Sequence, residues 1–213
     1  IDKSYGNQKI LDKISLNIKK GEFISIVGPS GAGKTTLLNI IGTIEDFDKS
    51  EKSKFLINSQ DLTKLSDKNL SKFRNDNIGF VFQFHQLLPE LTVEENILLP
   101  TMIKGSYKDN SDKHFNELIS TLGIGGILNK YPNSISGGER QRAAVARAMI
   151  NKPSILLADE PTGNLDSKNE EEIINLFKKM NKDFGVTIVL VTHNHNFSKL
   201  ADKCFTLKDG KWS

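Results

Sequence analysis

Residues 28–35 read Gly28-Pro29-Ser30-Gly31-Ala32-Gly33-Lys34-Thr35, a full match to G-x-x-x-x-G-K-[ST]. Its surroundings fix the local fold. The apolar run Phe23-Ile24-Ser25-Ile26-Val27 leads into it as a buried strand, and an apolar-periodic stretch from Thr35 to Ile41 leaves it as a helix. Glycines at 28, 31 and 33 let backbone N–H groups turn inward around a phosphate, and the helix start adds partial positive charge. Lys34 then falls to the β- and γ-phosphates and the Thr35 hydroxyl to Mg²⁺. The stretch predicts a nucleoside triphosphate site.

Working outward, short apolar runs at Phe23–Val27, Ile78–Phe82, Ile155–Ala158 and Val186–Thr192 read as parallel strands buried on both faces. Helical patterns at Thr35–Ile41, Lys113–Leu122, Arg140–Ile150 and Asn169–Phe184 alternate with them. Such alternation predicts an α/β layered domain. Ile10–Ile18, and Phe55–Ile57 with Asp61-Leu62, alternate apolar and polar residues and are expected as antiparallel strands. Lys203–Leu207 reads as a C-terminal strand with a tight turn at residues 208–211. Glu45–Lys54 and Lys104–Lys113 read as exposed loops.

The 213 residues suffice for one substantial core, and 37% hydrophobic with 26% charged content is globular. A net charge of +3 gives no argument for nucleic acid. No stretch approaches the 18 apolar residues of a membrane span, and no signal peptide is recognised. A start at Ile1 rather than methionine leaves room for a longer polypeptide. Cys204, the single cysteine, cannot form an intrachain disulfide and is expected to be a buried strand residue.

In an open α/β sheet, ligands lie beyond the carboxyl ends of the strands. The phosphate loop, Gln83, Asp159-Glu160 and His193 all follow predicted strands, so four polar candidates converge. Ile155–Ala158 delivers two acids into an apolar setting, where charge is costly without a partner. Beside a phosphate loop that partner is Mg²⁺, held by Asp159, which leaves Glu160 to polarise an attacking water as general base. His193 at its strand end is placed to donate to a γ-oxygen. Ser136-Gly137-Gly138-Glu139 opens another helix, a second anion-binding start in a chain with one phosphate loop. That surplus suggests a site completed by a second copy. An ordinary helix cap is the structural alternative.

Taken in order, Gly28–Thr35, Gln83, Ser136–Gln141, Asp159-Glu160, Asn164-Leu165-Asp166 and His193 resemble the ATP-binding cassette (ABC) ATPases over nearly the whole chain. The resemblance implies a P-loop NTPase core with a mostly parallel sheet, an antiparallel β subdomain and a helical subdomain. It implies one domain over residues 1–213, with the helical part at about 84–150. It also implies a head-to-tail dimer with two ATP molecules between the copies. Gly28–Thr36 of one chain, Lys34 and Thr35 included, would face Ser136, Gly137, Gly138 and Glu139 of the other. Asp166 would cross the interface, Tyr5 would stack on adenine, and Gln83 would touch Mg²⁺ and sense a membrane partner.

Within the family, Asp159–Asp166 resembles the group that includes LolD, MacB and FtsE. Gln83-Phe84-His85-Gln86-Leu87-Leu88-Pro89 and Ile135–Arg142 resemble its lipoprotein-release branch. That implies permease subunits of the LolC/LolE kind as partners, on the cytoplasmic face of the inner membrane. Phe82, Phe84, Leu87, Leu88 and Leu91 are expected to divide between core and a groove for the permease. MacB-like efflux, an FtsE-like role at cell division, and a soluble ABC ATPase acting on DNA or translation are the alternatives. The last is disfavoured by one cassette, no heptads and modest charge. Ile135 before Ser136 departs mildly from the usual leucine, and residues 47–54 lack the usual glycine turn. Arg140, Arg142 and Arg147 are expected as partners of carboxylates.

Overall fold

The computed structural model describes residues 1–50, 53–106, 112–163, 167–193, 198 and 200–213, without the side chains of residues 167–169. Expected roles for Asn164, Leu165 and Asp166 therefore lie outside the described residues. The chain opens with an antiparallel hairpin, β1 (Lys3–Tyr5) and β2 (Gln8–Leu11), then enters β3 (Phe23–Val27) and α1 (Lys34–Ile41). A second hairpin, β4 (Leu56–Ile57) and β5 (Gln60–Asp61), precedes α2 (Asp67–Asn77) and β6 (Ile78–Val81). Three helices follow: α3 (Val93–Lys104), α4 (Lys113–Leu122) and α5 (Gly137–Met149). The chain then runs through β7 (Ile155–Asp159), α6 (Ser167–Phe184), β8 (Thr187–Val191), β9 (Lys203–Lys208) and β10 (Lys211–Trp212).

One six-stranded sheet organises the molecule, in the order β10–β9–β3–β8–β7–β6, with every pair parallel except β9–β10. This is the α/β class expected, with antiparallel strands beside it. Every residue of β3 and β8 is buried, because helices cover both faces of the sheet, which is why these strands read as continuous apolar runs. Side chains alternate between two cores. Phe23, Ile188, Leu190 and Leu156 point into one with Phe115 of α4, Val145 of α5 and Phe177 of α6. Ile24, Ile26, Val189 and Leu157 point into the other with Leu37, Leu38 and Ile40 of α1. Each of these fully buried side chains contributes about 1.5–3 kcal/mol by leaving water.

Two helices escaped the sequence. α2 buries Phe73 alone, so its polar sequence shows no apolar stripe. α3 contains Pro100, which obscures its pattern, although Thr92 and Glu95 form a capping box at its start.

Three expectations need correction. The Ile10–Ile18 strand ends at Leu11: Lys13 takes φ +53°, and the Asp12 and Ile14 N–H groups go to Gly210 and Ile1 carbonyls. Ile14 is then buried by packing in the α1 core without belonging to a strand. Cys204 is exposed, on the same alternation of β9 as exposed Thr206 and Lys208. In the polar stretch Glu45–Lys54, Phe47 is buried and meets Phe55 edge to face, 6.1 Å between centroids. Among the described residues, no helix is long and apolar enough to cross a membrane.

Candidate active site

Strands β3, β8, β7 and β6 are neighbours, so their carboxyl ends form one continuous edge. The 28–33 loop follows β3, His193 follows β8, Asp159 ends β7 with Glu160 next, and Gln83 lies two residues beyond β6.

The loop is braced from behind by the C-terminal hairpin. Gly210 N–H donates to the Ala32 carbonyl at 3.3 Å, and the Leu207 carbonyl packs against Gly28. A Cβ on Gly28 would stand 2.0 Å from that oxygen, so the position accepts glycine alone. α1 starts at Gly33 with no side-chain cap and no acid in its first turn, leaving its N–H groups for an anion. Lys34 is buried, and its ammonium donates to the Gly28 and Pro29 carbonyls at 2.8 and 2.9 Å. In this geometry the cation is tied to the first two carbonyls of the loop.

Asp159 and Thr35 approach each other, the hydroxyl donating to Oδ1 at 3.3 Å. Burial pushes the Asp159 carboxyl up; the Thr35 hydroxyl opposes that, the Glu160 charge adds to it, and Lys34 opposes. A cation would relieve the cost of ionising it. Among the described residues, no group of three or more His, Cys, Asp or Glu could hold a metal unaided. The donors shown together are one carboxylate and one hydroxyl, both oxygen ligands. That set fits Mg²⁺, which keeps waters and takes phosphate oxygens from its substrate.

Glu160 has φ +44°, a rare conformation for a side-chain-bearing residue. Its N–H goes to Val191 O at 2.9 Å and its carbonyl accepts from Gly163 at 3.0 Å, which fixes the turn. The side chain thereby reaches His193: Nδ1 lies 2.9 Å from Glu160 Oε2, and the His193 amide donates to the same oxygen at 3.3 Å. The Gln83 amide rests over the same turn, its Nε2 2.9 Å from where a Gly163 Cβ would stand.

Tyr5 ends β1, half exposed, with its hydroxyl on the Glu45 carboxylate, which pushes the phenol up. Lys3 Nζ sits 4.9 Å over the ring and 3.0 Å from Glu45. The phenol also meets the Thr36 side chain, which puts the ring beside the first turn of α1.

Ser136–Glu139 lie toward the β6 end of this edge, away from the phosphate loop that follows β3. They start α5, which packs along β6 and α3, and Gly137 shares a cavity with Gln83, Phe84, Arg140 and Pro161. Three strand spacings, on the order of 14 Å, separate β3 from β6. The α5 start is also closed on itself: Ser136 N–H donates to Glu139 Oε2 at 2.8 Å, and Glu139 N–H donates back to Ser136 Oγ at 3.2 Å. The Ser136 amide holds the Glu139 carboxyl below its usual range.

The ABC transporter family model matches residues 11–163. The chain belongs to the ABC transporter family. This cassette is 46% identical over 210 residues to the lipoprotein-releasing system ATP-binding protein LolD of Bacteroides thetaiotaomicron, covering 99% of this chain and 95% of that one. It is 44% identical over 215 residues to the bacitracin export ATP-binding protein BceA of Halalkalibacterium halodurans, covering 99% and 84%. The bacterial cassette MJ0796, solved as a dimer, superposes with a TM-score of 0.85 at 41% identity, covering 100% of this chain and 94% of that one. A second MJ0796 structure, a post-hydrolysis dimer with ADP and Pi, gives 0.83 at 40%, covering 100% and 93%.

The arginines of the cassette divide. Arg142 pairs with Glu172, whereas Arg140 donates to the Pro132 and Ile135 carbonyls and Arg147 to those of His85 and Gln86. The carboxylate pairing expected of all three therefore holds for Arg142. Sequence reading also missed Lys3 and Glu45 around Tyr5, and Asn96 under residues 88–92. A lone charge or amide gives no spacing signal when its partners are backbone groups or distant in sequence. Of the apolar residues around Gln83, Leu87 is buried while Phe84 and Leu88 are exposed.

Proposed function

We propose that this cassette is the ATP-hydrolysing subunit of a lipoprotein-releasing transporter and drives a separate permease of the LolC/LolE kind. The observation that supports it best is the continuous edge of phosphate loop, Glu160–His193 pair, Asp159 and Gln83. We assign a single domain over residues 1–213, with residues 84–150 as its helical part. Lys34 leaves the Gly28 and Pro29 carbonyls to meet the β- and γ-phosphates of ATP. Tyr5 stacks on adenine, Gly28–Thr36 surround the phosphates, and Thr35, Asp159 and Gln83 face Mg²⁺. When bound, Mg²⁺ offsets charge developing on the transferred phosphoryl group. Glu160 takes the proton of the attacking water, and His193 orients the carboxylate and the γ-phosphate.

Ser136–Glu139 of a second copy completes each site, with Asp166 at the crossing. Exposed Phe84 and Leu88 beside Gln83 support a permease contact there, at the cytoplasmic face of the inner membrane. The likeness to BceA supports a second reading, a peptide-antibiotic exporter. Copurification of the Glu160→Gln chain with ATP from its native membranes separates them. A LolC/LolE-like pair is the expected result; recovery of a different permease would favour the second reading, and recovery of DNA or ribosomes without a permease would defeat both.

A further inference from the structure

The segment after β6 has almost no backbone partners of its own, yet it has one defined path. Three side chains from the helical layer supply the bonds that secondary structure would otherwise make. Arg147 of α5 donates to Gln86 O at 2.5 Å and His85 O at 2.8 Å. Asn96 of α3 is fully buried and closes both backbone groups of Leu88: its Oδ1 accepts the Leu88 N–H at 2.8 Å, and its Nδ2 donates to Leu88 O at 3.0 Å. Nδ2 also reaches Leu91 O and Thr92 O at 3.1 and 2.9 Å. Gln141 of α5 adds a longer contact, 3.5 Å to Phe82 O.

The clamp has a chemical logic. Gln86 holds φ +51°, a conformation a side-chain-bearing residue keeps only when its surroundings enforce it. A planar guanidinium spans two successive carbonyls; an ammonium cannot copy that fork. Burial pulls the Arg147 guanidinium down from its ordinary range, and among the described residues it has no carboxylate partner, so its charge rests on the two carbonyl dipoles. Such an arrangement is costly for simple stability, since a half-buried charge lacks a carboxylate partner among the described residues and the turn it holds is strained. What it secures is the path of the chain within three residues of Gln83.

We propose that Arg147, with Asn96, is a positioning residue for Gln83: it sets the 85–88 turn so that the Gln83 amide stays over Gly163 and at the metal edge. The proposal rests on the reading of Gln83 as facing Mg²⁺. Removing an outer support of a metal-facing group typically weakens metal affinity about 10–100-fold.

The test uses the full chain and a non-hydrolysable ATP analogue. Two quantities are read: the Mg²⁺ concentration for half-maximal analogue binding, and hydrogen exchange of amides 84–89. Arg147→Lys keeps the charge and loses the fork; Asn96→Asp keeps the Leu88 N–H acceptor and loses the donors, and serves if the lysine variant does not fold. The expected result is about a tenfold higher Mg²⁺ requirement, faster exchange at 84–89, and analogue affinity without Mg²⁺ unchanged. Gln83→Ala should raise the Mg²⁺ requirement by itself, and adding Arg147→Lys should raise it no further. A merely structural arginine would leave the two changes multiplicative or move no Mg²⁺ requirement at all, and either outcome overturns the proposal. If Gln83→Ala leaves the Mg²⁺ requirement untouched, the metal-facing reading of Gln83 falls first and the proposal falls with it.

Discussion

Replacing Gly28 by alanine should cost nucleotide affinity rather than the fold. The added Cβ would lie 2.0 Å from Leu207 O and 3.1 Å from its carbon, whereas real Cβ contacts under 3.0 Å essentially do not occur. The loop entrance or β9 must therefore move by about 1 Å, the difference between those distances. β9 is tied to β3 along a four-residue register, Ile24↔Lys203 to Val27↔Thr206, so the loop is the softer side. A displacement of about 1 Å at a site built on aligned groups costs about 100-fold, or about 2.7 kcal/mol. Titration with a fluorescent ATP analogue, alongside a thermal melt, reads both quantities. Gly185→Ala is the control: φ is +64° but nothing stands within 4 Å of its Cβ, so it incurs backbone strain alone. It should lose about 1–2 kcal/mol of stability with affinity intact. Gly28→Ala binding as tightly as the parent in a folded protein would refute the steric argument.

Glu160→Gln keeps the size and an acceptor for His193 but removes the proton-taking charge. Turnover should fall by about 10²–10⁴ with ATP affinity retained, as single-turnover and binding assays would show; parent-like hydrolysis would exclude Glu160 as the base. Tyr5→Ala should weaken binding by the stacking energy, about 1–3 kcal/mol, and Tyr5→Phe, which keeps the ring and loses the Glu45 contact, by much less; equal losses would mean the hydroxyl matters and the ring does not. His85 gives a pH test. Burial, then the Arg140 and Arg147 charges, hold its imidazole below the ordinary 6.5. The unfolded chain then takes a proton that the folded chain refuses, so stability falls as pH drops through 6.5 toward the lowered value. His85→Gln should flatten that part of the melting-temperature profile; an unchanged slope would remove His85 as its source.

Much of the architecture was legible because its signals are local. Short, mostly apolar runs bounded by turn signals, such as Phe23–Val27, read as strands buried on both faces, and the glycine loop between one of them and a helix announces its ligand. The four strand-end residues were readable for the same reason, since each polar group breaks an apolar run. What stayed hidden was tertiary. α2 shows no stripe because it buries one aromatic, and the 12–18 segment alternates like a strand although its alternate residues serve a loop packed on α1. The supports of the site, Arg147 on two carbonyls, Asn96 around Leu88, Glu45 on Tyr5, link residues 8 to 62 apart through groups that no spacing rule couples.

The two helix starts differ in a way that bears on dimerisation. α1 begins without a side-chain cap, open to a phosphate, while α5 begins closed by Ser136 and Glu139 and lies toward the β6 end of the strand-end edge, away from the loop. On the reading proposed above, one chain supplies the phosphate loop of one site and the Ser136–Glu139 start of the other. Light scattering of the Glu160→Gln chain with and without Mg²⁺ and ATP measures this directly. The expected mass is that of one chain without nucleotide and of two with it. A single-chain mass at saturating ATP, with the parent hydrolysing ATP at a rate per chain independent of protein concentration, would contradict it.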